Sequence, residues 1–64
     1  MTREDVKKGI EKALGTMFLN NVITTEDQWC CQRVCTALGI KNVDEISQFV
    51  KVTFCGQTTS FQLK

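Results

Sequence analysis

From Val50 to Lys64 the apolar residues fall on every second position, and one two-residue break divides the run in half. Val50, Val52 and Phe54 alternate with Lys51, Thr53 and Cys55. After Gly56-Gln57, Thr59, Phe61 and Leu63 alternate with Thr58, Ser60, Gln62 and Lys64. Alternation of this kind marks strands with one buried face. A glycine in the first position of a two-residue turn suits a type II′ hairpin. That turn sets Phe54 opposite Thr59, Val52 opposite Phe61 and Val50 opposite Leu63, so the large apolar side chains share one face. A slip of one residue would scatter them. Two strands alone are marginal in water, so this face must rest on the remainder of the chain.

The remainder reads as helical. Over residues 3–20, Val6, Ile10, Ala13, Leu14, Met17 and Phe18 form a stripe at helical spacing, with Lys7, Lys8, Glu11, Lys12 and Thr16 on the other face. Thr2 with Asp5 is its cap, and Asn20-Asn21 its end, since asparagine tolerates the left-handed conformation. Leu19 lies off the stripe, and Val22-Ile23 forms a short apolar bridge to the next element. A second helix is expected over residues 25–38. Thr25 with Gln28 and Thr24 with Asp27 make overlapping capping boxes at its start, and Leu38-Gly39-Ile40 stops it. At ~100° per residue, Ala37, Cys30, Val34, Leu38, Cys31 and Cys35 occupy an arc of about 160°, while Trp29, Gln32, Arg33 and Thr36 fall outside it. A third helix, over residues 43–49, starts at the capping box of Asn42 and Glu45 and turns Val43, Ile46, Phe49 and Val50 inward. The expected architecture is a single α+β domain over residues 1–64, with three short helices followed by a C-terminal two-stranded antiparallel β-hairpin at 50–63.

A chain of 64 residues buries only ~60% of its unfolded surface, so its core is small and Trp29 and the four phenylalanines matter out of proportion to their number. The net charge of +1, with both signs interleaved, gives no strong footprint for nucleic acid or an anionic membrane. No apolar run approaches the roughly 20 residues of a membrane span. The opening Met1-Thr2-Arg3-Glu4-Asp5 is charged, with no apolar segment behind it, which gives the expectation of an intracellular (cytoplasmic) chain with reduced thiols.

Histidine is absent, which removes the usual general base and the commonest nitrogen ligand for a metal. No glycine-rich phosphate loop is present. The expectation is therefore a non-enzyme without a cofactor. Three of the four cysteines, Cys30, Cys31 and Cys35, sit within six residues of one helix. Adjacent helical cysteines point ~100° apart and an i, i+4 pair offers only half a site, so no metal centre is expected and the sulfurs read as core side chains. Cys55 falls on the polar face beside the turn and is the candidate accessible thiol, with no basic neighbour to activate it.

Two functions from different classes remain. Trp29 and Arg33 lie off the apolar arc of the second helix and Leu19 lies off that of the first. Exposed tryptophan and arginine are typical interface anchors. These residues, with the open hairpin edges, point to a small regulatory module that binds another protein, including a second copy of itself. The alternative starts from Val34-Cys35-Thr36-Ala37-Leu38-Gly39-Ile40, which resembles the first helix and glycine turn of a helix–turn–helix. Three helices followed by a hairpin is similar to the element order of winged helix–turn–helix domains, and that resemblance implies weak DNA binding. Asn42, Ser47 and Gln48 would then face the bases, and Lys7, Lys8 and Lys12 the phosphates. The chain departs from that pattern where Glu45 replaces an expected apolar residue, and where Asp44 and Glu45 stand without any arginine or lysine at the start of the reading helix.

Overall fold

The structure, a computed structural model, describes residues 1–64. It is an α+β fold in which two helices and a short 3-10 turn pack on a three-stranded antiparallel sheet. The elements are α1 (Arg3–Leu14), β1 (Val22–Thr25), α2 (Cys30–Leu38), the 3-10 turn Val43–Ile46, β2 (Val50–Cys55) and β3 (Thr58–Leu63). The expected three helices and two strands are corrected on both counts.

The hairpin has the register that the alternation implies, with Val50 opposite Leu63, Val52 opposite Phe61 and Phe54 opposite Thr59. Gly56 has φ +62° while Gln57 does not take positive φ, the combination that a type II′ turn requires. β3 is the central strand, because β1 pairs along its far side, with Ile23 opposite Phe61 and Thr25 opposite Thr59. Val22-Ile23 is thus part of a strand rather than a bridge. Its β-branched run bonds to β3 and leaves Thr24 and Thr25 extended, so neither capping box forms and α2 starts at Cys30 instead of residue 25. Thr25 Oγ1 instead accepts from the Asp27 N–H at 3.2 Å.

α1 begins as expected, with Thr2 and Asp5 in a reciprocal capping box. Hydrogen bonding to the Thr2 backbone, then to its hydroxyl, holds the Asp5 carboxyl below its ordinary pKa. The helix ends at Gly15 (φ +69°) rather than near residue 20, a conformation that side-chain-bearing residues rarely adopt. Beyond it, the Glu11 carboxylate accepts from the Phe18 N–H at 2.9 Å and turns the chain. Met17, expected in the core stripe, is therefore 77% exposed. Leu19 and Val22 exchange backbone hydrogen bonds around Asn20 (φ 53°) and Asn21 (φ 65°), a type I′ turn leading into β1. Replacing Asn21 by alanine is expected to cost about 1 kcal/mol from the left-handed strain, and by glycine to cost nothing. Thermal melts of the two variants check this.

The third expected helix is a single 3-10 turn. Asn42 and Glu45 do cap it: Asn42 Oδ1 accepts from the Asp44 N–H at 2.9 Å, and the Glu45 carboxylate accepts from the Asn42 N–H at 3.3 Å. With that first turn capped, the chain leaves at Ser47–Phe49 to supply β2, so no second helical turn forms.

The core joins all layers. Val6 and Ile10 of α1, Cys30 and Val34 of α2, and Ile46 meet Ile23, Val50, Phe61 and Leu63 of the sheet. Cys30 is a core residue as expected, whereas Cys31 and Cys35 are half-buried and Ala37 is exposed. Gly9 lets α2 approach α1, since a Cβ there would run into Leu38 Cδ2. Phe54 shares its strand face with Val50 and Val52 but is 67% exposed, because it lies beyond the helices near the hairpin tip. No helix is long and apolar enough to cross a membrane.

Candidate functional site

The loop between β1 and α2 is organised by one carboxylate. Asp27 Oδ1 accepts from the Trp29 N–H at 2.8 Å, and Asp27 Oδ2 pairs with Arg33 Nε at 2.9 Å. Trp29 is the residue before the helix and its side chain makes no cap, so the indole is free to project. It is 57% exposed in a chain whose other large aromatic groups mostly serve the core. The ion pair is itself open to water and contributes at most about 1 kcal/mol to stability. Its effect is positional: it holds Arg33 on the same side of α2 as Trp29.

Trp29 and Arg33 line a concave groove of about 430 Å³ between α1 and α2. Lys12 and Ala13 of α1 form the opposite wall, and Ala37 with Gln32 and Thr36 completes α2's side. The two alanines leave the space, Trp29 supplies an aromatic wall, and Lys12 and Arg33 supply positive charge. No carboxylate lines the groove. An apolar surface with convergent polar groups in a cleft of this size is what ligand and peptide sites share.

The remaining candidates are scattered. Leu19 is 76% exposed but lies in the type I′ turn and does not line the groove. Lys7 is half-buried and Lys8 exposed on α1, and of that cluster only Lys12 reaches the groove. Asn42 is consumed as a cap, Ser47 ends the 3-10 turn, and Gln48 is exposed in the turn after it. Asp27, Ala13 and Ala37 belong to the site but were not signalled by the sequence: the two alanines fall on apolar stripes, and Asp27 reads there as a capping residue.

All four cysteines are free, and Cys55 is exposed as expected. Burial, then the neighbouring Cys30, pushes the Cys31 thiol up to about 11. Burial, then Glu45, pushes Cys35 up as well. These shifts run opposite to the activation that a nucleophile or thiolate ligand requires. No cluster of three or more histidine, cysteine or acidic side chains able to hold a metal ion occurs.

No family model, curated protein or solved structure matches this chain.

Proposed function

We propose that the chain is a small, non-enzymatic regulatory module that binds another protein through the α1–α2 groove. The observation that carries this reading is Trp29, more than half exposed on the wall of a groove lined also by Lys12 and by Arg33, which Asp27 holds in place. The occupant that fits is a partner segment with an apolar side chain to sit on Ala13 and Ala37 against the indole. An acidic residue beside it would reach Lys12 and Arg33. Buried tryptophan and arginine anchors dominate interfaces of this kind. The elevated Cys31 and Cys35 thiols and the absence of histidine support a role without catalysis. Four free thiols fit a reducing, intracellular setting.

Trp29→Ala is expected to abolish capture of such a partner while shifting stability by no more than about 0.5 kcal/mol, since the side chain is largely in water. Affinity capture with both proteins, alongside their thermal melts, checks this. Undiminished capture by a folded Trp29→Ala protein would sink the reading.

A second reading draws on the strand order. With β1 on the far side of β3, the order α1–β1–α2–turn–β2–β3 is similar to that of winged helix–turn–helix domains. Against DNA binding stand the single 3-10 turn in place of a reading helix, its Asp44 and Glu45, and a two-residue wing. Fold likeness alone carries little functional weight. DNA retention that falls steeply with added salt would favour this second reading.

A further inference from the structure

Asp27 is engaged through all four of its polar groups. Its N–H donates to Thr25 Oγ1 at 3.2 Å, and its carbonyl accepts from the Cys30 N–H at 3.1 Å. Its Oδ1 accepts from the Trp29 N–H at 2.8 Å, and its Oδ2 pairs with Arg33 Nε at 2.9 Å. One residue thus ties the end of β1, the residue before α2 and a side chain one turn further along into a single frame. Asp27 does not line the groove, whereas Trp29 and Arg33 both do. Its carboxylate therefore grips the guanidinium from outside the groove, at the Nε edge. A guanidinium is a planar fork with five donors, and one carboxylate spans only one of its edges. The edge formed by the two terminal Nη atoms is left for another acceptor.

Taking the groove as the partner site proposed above, we infer that Arg33 is its specificity-determining residue, a two-point receptor for a carboxylate on the partner segment, and that Asp27 is the positioning residue that presets it. Trp29, Arg33 and Ala37 fall four residues apart and form one file along α2, so the fork stands between the indole and the space left by the alanine. The Arg33 side chain is 60% exposed, and an unrestrained arginine there would lose its rotamer freedom on binding, at a cost in affinity. Asp27 removes that freedom beforehand. It also fixes the plane of the fork, so an arriving carboxylate meets two parallel N–H groups. Lys12, across the groove on α1, is a point charge without a preferred plane. Its neighbour Glu11 is turned to the Phe18 N–H. Asp27 balances Arg33, and Lys12 remains as the uncompensated cation. That balance suits a singly charged carboxylate, whereas a phosphate near two charges would leave negative charge unpaired. Lys12 draws the acidic segment in, and Arg33 reads it.

The chain's only tryptophan stands in the groove, so its fluorescence reports occupancy directly. The probes are two blocked dipeptide amides, leucyl-glutamyl and leucyl-glutaminyl, which differ in carboxylate against carboxamide. The unmodified chain is expected to prefer the glutamyl probe by at least about tenfold. Arg33→Lys and Asp27→Glu both conserve charge, so a role for charge alone predicts an unchanged preference. The preset fork predicts that each variant lowers the preference by at least about threefold. Thermal melts confirm that both variants are folded, as neither residue belongs to the core. Variants that keep the full preference, or that weaken both probes equally, would overturn the inference. Tighter binding of a leucyl-phosphoseryl probe than of the glutamyl one would overturn the choice of a carboxylate. An unmodified chain that binds the two probes equally, or neither at millimolar concentration, would overturn the receptor. The groove itself would be lost as a partner site only if Trp29→Ala left capture of the partner intact.

Discussion

Phe61→Ala is expected to raise the unfolded fraction at 25 °C by at least about a hundredfold. The ring is fully buried on the central strand, between Ile23 of β1 and Val52 of β2, and the helices cover it from one side. Truncating such a phenylalanine costs about 3–5 kcal/mol, transfer and cavity together. A chain of this size has roughly 3–10 kcal/mol of stability in total, at ~0.05–0.15 kcal/mol per residue. The substitution therefore removes between a third and all of it. Phe54→Ala is the internal comparison: the same residue type, on the neighbouring strand and the same face of the sheet, but 67% exposed. It should cost less than about 1 kcal/mol in a dilute, monomeric sample. Urea unfolding followed by circular dichroism measures both. Equal losses from the two would mean that Phe61 does not hold the three strands and the helices together.

The contrast between these two phenylalanines also shows what can be read along the chain. The hairpin was legible because two independent signals, the period of two and the Gly56 turn, demand one register. The alternation cannot say how far the helices extend over the face it defines, so Phe54 reads as core alongside Phe61. β1 was illegible for another reason. Its four residues have no clear alternation, and their strand character comes from β3, which follows far along the chain. Read locally, Thr24 and Thr25 are good helix caps. Tertiary pairing overrides that preference and shortens α2 by its whole first turn. The stripe of α1 likewise continues through Met17 and Phe18 at helical spacing and hides the stop at Gly15. The third helix fails because a capping box marks where a turn begins and not how long it lasts.

For the candidate site, Trp29 and Arg33 were legible as residues that the apolar arc of α2 leaves out. Their neighbours on α1 were not. Lys12 and Ala13 join the groove only because Gly9 allows the two helices to meet, and contact between elements has no signature in either element alone. Asp27 was seen as a helix-start residue. Its actual partners, the Trp29 N–H and Arg33, depend on the loop that β1 formation creates.

Thiol-modifying reagents at pH 8 are expected to separate the cysteines by at least about tenfold in rate, because the stronger nucleophilicity of a high-pKa thiolate offsets part of its smaller population. Cys55 is exposed at the end of β2 and should react first. Cys31 is half-buried with its thiol raised from 9.0 to about 11, chiefly by burial and then by Cys30. Only the thiolate attacks, and at pH 8 that shift lowers the thiolate population by about a hundredfold. Cys35 is shifted in the same direction, and Cys30 is 2% exposed, so its sulfur is reached only when the core opens. Mass spectrometry of partially labelled protein reads the order directly. The same shift has a consequence for stability. The folded chain holds the Cys31 proton more tightly than the unfolded chain does. That contribution is therefore complete below about pH 9 and is lost as pH rises through 11. Thermal melts should show the midpoint falling across this alkaline window, with Cys31→Ser flattening the fall. Labelling of Cys31 as fast as Cys55 at pH 8 would show that α2 does not turn this sulfur toward the 3-10 turn and the sheet. Slow labelling in native protein that becomes uniform in urea would tie the protection to the packing of α2.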